Sequence, residues 1–145
     1  MRAKYLKLVR LSALYDLMAT AAFATPWTFA AVHTLLGSIS PLPAFAPIHV
    51  LFANLLGSVV VIWSVLRLRR PEAEFGLYDT FARGLFFIWQ LYYLLAMNGV
   101  AIVWGFAAME AAFGIAQGYG YWLLRKTESG KPSACRIVMA LRAAA

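Results

Sequence analysis

Acidic residues are scarce in this sequence, six Asp and Glu in 145 positions, and charge of either sign makes up only 13%. A soluble chain of this length needs more polar side chains than that to cover its surface, so the usual water-soluble profile is excluded. There is a single cysteine, Cys135. It rules out an intramolecular disulfide, a CxxC redox pair and a multi-cysteine zinc site, and its expected place is a reduced cytoplasmic tail. Also missing are a Gly-rich phosphate loop, a Ser-His-acid set, a run of metal ligands and a repeated half of opposite topology. Nothing in the sequence therefore requires an enzyme.

What fills the chain instead is apolar: 63% hydrophobic residues and a mean hydropathy of +0.72. Each helical span takes about 20 residues, so this length holds one all-α membrane domain of a few spans and no separate soluble domain. The formal charge of +7 is not a nucleic-acid footprint, because the basic residues sit beside apolar runs rather than on a soluble module. It reads as membrane topology.

Four spans are expected, at about residues 11–36, 48–68, 77–98 and 100–124, within a membrane domain over 1–126. Arg2, Lys4, Lys7 and Arg10 precede the first, which resembles the start of a signal peptide but contains Asp16 and is too long for an ordinary h-region. Pro26 should kink it. Residues 38–47, with three prolines and no charge, form a loop, and Arg67, Arg69 and Arg70 stop the second span before Pro71. A tight uncharged turn at Asn98 and Gly99 links the third span to the fourth, which Arg125 and Lys126 end. Uncharged connections alternate with cationic segments, which places both termini in the cytoplasm of a multi-pass inner-membrane protein. The tail, residues 127–145, could lie on the membrane as a short helix with Arg136 and Arg142 toward the headgroups.

Several polar residues fall inside these spans, where an ionised group must find a partner or snorkel. At helical spacing Asp79, Arg83 and Gln90 share one stripe of the third span. In the fourth, Glu110, Gln117 and Tyr121 share another with Gly114. Asp16 and Arg83 lie at similar depth from the cytoplasmic face. The expected arrangement is a buried cluster of Asp16, Arg83 and Glu110, with Asp79 one turn away and Gln90, Gln117 and Tyr121 around it. Such a cluster either fixes helix register or forms a ligand or proton site. Glu110, mid-span and without a basic neighbour in sequence, should have a raised pKa and is the sharper candidate for proton exchange.

No cofactor is expected from any motif. His33 and His49 sit at the far ends of the first two spans and are the residues that a haem or, with Met97 or Asn98, a metal ion would use. Interfacial histidines are ordinary, and no HxxxH spacing sharpens the pair. Gly114 and Gly118 make a GxxxG that allows close packing, inside the bundle or between two copies. Trp27 and Trp89 beside the polar stripes suit an apolar ligand pocket or plain core packing.

Four short-looped spans with a glutamate in a small-residue fourth helix, GFAAMEAAFGIAQG, resemble the DoxX-like small membrane proteins. The likeness covers the layout and this one motif. It implies an inner-membrane accessory protein linked to redox or stress systems. Small multidrug transporters also have four spans and a buried glutamate, but theirs lies in the first helix, where this chain has Asp16. The leading expectation is a protein of the lipid bilayer that binds a lipophilic small molecule such as a quinone, or a larger membrane-protein subunit. The alternative is a small proton-coupled transporter using Glu110 and Asp16.

Overall fold

The computed structural model describes residues 1–129, which form five α-helices and no strand. They are α1 (Arg2–Thr20), continued by a 3-10 turn (Ala21–Ala24), α2 (Pro26–Gly37), α3 (Pro47–Arg69), α4 (Ala73–Ala96) and α5 (Val103–Ser129). The all-α expectation holds. Helix α1 packs on α3 and α5, and α4 lies along the length of α5. The tail helix imagined around Arg136 and Arg142 lies outside the described residues, and α5 runs past the expected end at 124 to Ser129.

The first expected span is not continuous. Between Arg2–Ala24 and Pro26–Gly37 the axis turns by 107°, far beyond a proline kink. Thr25 explains the difference. The residue before a proline is pushed out of the helical region, and Thr25 adopts φ −132° and ψ 151°. Its Oγ1 accepts a hydrogen bond from the Thr28 amide at 3.2 Å, so it caps a new helix rather than bridging an old one. The carbonyls freed by the break are met from α3. Asn54 Nδ2 donates to Phe23 O at 2.7 Å and Ser58 Oγ to Ala24 O at 3.5 Å. Gly57, between them, lets the backbones touch, since a Cβ there would sit 2.7 Å from the Phe23 carbonyl carbon.

The other connections follow their residues. Only Arg70, Pro71 and Glu72 separate α3 from α4, so α4 starts four residues before its expected beginning. At the α4 to α5 turn Asn98 takes φ 50°, a left-handed conformation that Asn tolerates, and Gly99 N donates back to Tyr93 O at 2.9 Å. Gly114 and Gly118 face α4 within the chain. A Cβ at Gly118 would stand 3.0 Å from Thr80 Cγ2, and one at Gly114 would stand 3.5 Å from Arg83 Cβ.

The distribution of polarity is inverted relative to a water-soluble bundle. The fully buried side chains include Arg67, Gln117, Ser12 and Ser64, while Phe81, Leu85, Ile88 and Leu95 of α4 and Leu55, Val59 and Ile62 of α3 lie exposed. Among the described residues α3 is the one helix that is by itself long and apolar enough to cross a membrane, and the bent pair of α1 and α2 reaches that level only when taken together. A small apolar cluster of Tyr5, Val9 and Leu124, with Leu8, Ala73 and Tyr121 against it, closes the end that holds the N-terminus. Burial pushes the Tyr5 phenol above its ordinary pKa.

Candidate functional site

Five ionisable side chains from four helices meet beside the point where α1, α3, α4 and α5 approach one another. Arg83 on α4 is the hub. Its Nη2 donates to Asp16 Oδ1 and Oδ2 at 2.6 and 2.7 Å, its Nη1 to Glu110 Oε2 at 2.8 Å and its Nε to Asp79 Oδ2 at 3.0 Å. Nε also reaches Gln117 Oε1 at 3.2 Å. Arg67, from the last turns of α3, repeats the pattern on the other side, with Nη2 to Asp16 Oδ2 at 2.5 Å and Nη1 to Asp79 Oδ2 at 2.6 Å.

The result is a closed ring of alternating charge, Arg83, Asp16, Arg67, Asp79 and back to Arg83. Ser12 of α1 sits within it. Its hydroxyl accepts from Arg83 Nη2 at 2.8 Å and from Arg67 Nη1 at 3.3 Å, and donates to Asp79 Oδ2 at 3.0 Å. One donor and two lone pairs are thereby all used. Trp63 Nε1 donates to the remaining Asp79 oxygen at 3.1 Å, and the Trp63 and Phe113 rings lie 5.3 and 5.1 Å from the Arg67 and Arg83 guanidinium carbons. The side chains of Arg67 and Arg83 are 0% and 2% exposed. Charges so far from water are tolerated only when paired this completely. A few polar atoms nearby, Arg67 Nε, Ser64 Oγ and Gln117 Nε2, are buried without a protein partner.

The expected cluster of Asp16, Arg83, Glu110 and Asp79 is brought together, with Gln117 bonded to its hub. Gln90 stands apart from the ring, on the wall of the cavity next to it. Tyr121 does not join: its hydroxyl donates to Glu74 Oε1 at 3.0 Å, toward the apolar cluster around Tyr5. Glu110 lacks a basic neighbour only along the chain, for Arg83 reaches it across the α4 to α5 contact. Ser12, Trp63 and Arg67 were missed. Arg67 reads as one of three stop-transfer charges, yet Gly57, Ser64 and Arg67 are the buried positions of α3 and lie on one helical face. That small and polar stripe in an otherwise aliphatic helix was the available signal.

His33 and His49 are placed at the opposite end. His33 Nε2 lies 3.1 Å from Pro43 O, and His49 Nδ1 accepts from the Ala46 amide at 3.3 Å. Phe45 packs between them, with ring centroids 5.2 and 6.2 Å away. Both rings thus contact the 38–46 loop. Among the described residues no group of three or more His, Cys, Asp and Glu is arranged to hold a metal ion.

Against the ring lies a cavity of about 340 Å³, within the size range of small-molecule sites. Leu56, Val60, Phe23, Phe86 and Phe106 supply its apolar walls, and Asp16, Glu110 and Gln90 its polar positions. A second space of about 330 Å³ shares Asp16, Phe86 and Glu110 with it and extends toward Trp63 and Asp79. Protein-family models, curated proteins and solved structures offer no match to this chain.

Proposed function

We propose that this chain is a small multi-pass protein of the inner membrane, with both termini in the cytoplasm, that binds a lipophilic ligand in the cavity between α1, α3, α4 and α5. The membrane reading rests on the inverted distribution of polarity: aliphatic and aromatic side chains outside, an ion-pair network inside. In lipid that arrangement lowers the free energy of both surfaces; in water it would expose the apolar one. The bent pair Arg2–Ala24 and Pro26–Gly37 reaches the length and apolarity of a span only as a unit, so the first crossing is read as a broken one with Arg2, Lys4, Lys7 and Arg10 at its cytoplasmic end.

The observation that carries the ligand reading is the cavity itself, apolar on most sides and bounded on one by two carboxylates. Pockets of this make-up hold a hydrophobic body and fix its orientation through a few polar contacts. An accessory role of the kind found among DoxX-like proteins agrees with it. The test is extraction of the full chain directly into lipid nanodiscs, followed by mass spectrometry of what accompanies it. A lipophile enriched on the wild type and lost on Ala53→Phe, which fills the cavity, supports the proposal. Identical lipid profiles for the two proteins would refute it.

Proton-coupled transport is the second reading, favoured by Glu110, which is held through one oxygen only and borders the cavity. Asp16 is clamped by both guanidinium groups, so the load would rest on Glu110. Proton flux in liposomes that survives Glu110→Gln would dismiss it.

A further inference from the structure

Formal charges around the ring cancel: Arg67 and Arg83 against Asp16 and Asp79. Glu110 is the fifth charge and binds Arg83 alone, so the buried set carries one negative charge in excess. That excess faces the cavity. Glu110 lines both adjoining spaces, its Oε2 is engaged by Arg83, and among the described residues its Oε1 has no hydrogen-bond partner. Gln90, on the same wall, presents a second acceptor, because its Oε1 is buried and unpartnered. Arg83, already paired with Asp16, Asp79 and Glu110, lines only the second space; no Lys or Arg lines the first, to which Tyr15, Phe23, Phe86 and Phe106 contribute aromatic rings.

In the first space Glu110, Gln90 and the aromatic rings are all complementary to positive charge. An anion would be repelled by Glu110. A neutral guest would leave the surplus charge uncompensated in a medium of low dielectric, which is costly. A cation would neutralise it, attract both unpartnered oxygens to its positive charge and lie against aromatic rings, which attract cations most strongly when water is excluded. We infer that the ligand is a lipophilic cation: an apolar body bearing an ammonium or similar positive group, seated with its charge between Glu110 Oε1 and Gln90 Oε1. This inference rests on the cavity being a ligand site, and the experiment separates the two.

Benzyltrimethylammonium and neopentylbenzene have the same shape and differ in charge, with nitrogen replaced by carbon. Their binding to the full chain in nanodiscs is measured by equilibrium dialysis, with empty nanodiscs as the blank. The ammonium is expected to bind about tenfold more tightly than the hydrocarbon after correction for partitioning, in line with a desolvated cation-π and charge contact. Glu110→Gln should abolish the preference while leaving the hydrocarbon's affinity in place. Because Glu110→Gln disturbs an ion pair and could impair folding, Gln90→Leu is the second variant. It leaves every ion pair intact and should weaken the ammonium alone. Equal binding of the two probes, or a preference that persists in both variants, overturns the cation assignment and leaves the pocket standing. Binding of neither probe overturns the pocket reading and this inference together.

Discussion

Replacing Arg67 by Met separates two accounts of one residue. If Arg67 is one of three interchangeable stop-transfer cations, its loss should resemble the loss of Arg69, which is exposed on the same turn. In the structure it is 0% exposed and holds Asp16 at 2.5 Å and Asp79 at 2.6 Å. Met approximates the volume of the stem but leaves Arg83 as the one cation beside Asp16, Asp79 and Glu110, and the net charge of the buried set falls from −1 to −2. Breaking a buried pair by removing one partner costs about 3–5 kcal/mol. Exposed substitutions on the same stretch, such as Arg69→Met, should stay within about 0.5 kcal/mol. Reversible unfolding in mixed micelles by titration with a denaturing detergent reads the difference. Adding Asp79→Asn to Arg67→Met should recover part of the loss, with a coupling of about 1–3 kcal/mol, because the two groups share the network. Equal costs for Arg67→Met and Arg69→Met, or strict additivity in the double variant, would refute the ring.

Three other outcomes follow from the same geometry. Ser12→Ala removes a hydroxyl with all three of its hydrogen-bonding positions in use, and should cost about 1–3 kcal/mol in the unfolding assay, whereas Ser38→Ala at an exposed helix end should cost much less. Gly57→Val forces side-chain atoms into the Phe23 backbone and should destabilise by about 1–3 kcal/mol, a loss that an equally stable variant would contradict. For topology, in a Cys135→Ser background an impermeant thiol reagent added to intact cells should label Ala44→Cys in the 38–46 loop and spare Glu72→Cys between α3 and α4. The reverse pattern, or equal labelling of both, would contradict the proposed orientation.

The helical class and the limits of α3 were legible because long apolar runs bounded by Pro, Gly and arginine clusters leave little choice of element. The second expected span, 48–68, is α3 to within a residue at either end. The meeting of Asp16, Arg83, Glu110 and Asp79 could be read as well, since ionisable groups inside apolar helices have few places to go. Other features depend on contacts between segments distant in sequence. Pro26 announces an interruption, but its angle is set by Thr25 capping a new helix and by Asn54, Gly57 and Ser58 receiving the broken backbone from α3. Arg67 was misread for a similar reason. A helix-terminal arginine followed by two more looks like a topology signal until α1 and α4 supply it with two carboxylates. Tyr121 lies on the stripe of Gln117, yet one further turn carries it past the ring to Glu74.

The sequence contains two aspartates, Asp16 and Asp79, and both belong to the ring. That makes a direct measurement available: solid-state NMR dephasing of carboxylate carbon-13 in selectively labelled aspartate by guanidinium nitrogen-15 in labelled arginine, on the full chain in lipid bilayers. Ion pairs of 2.5 to 3.0 Å place nitrogen next to both carboxylates, so both aspartate signals should dephase fully and rapidly. Persistence of either signal would show a carboxylate with no arginine beside it, and the buried charge network would be wrong.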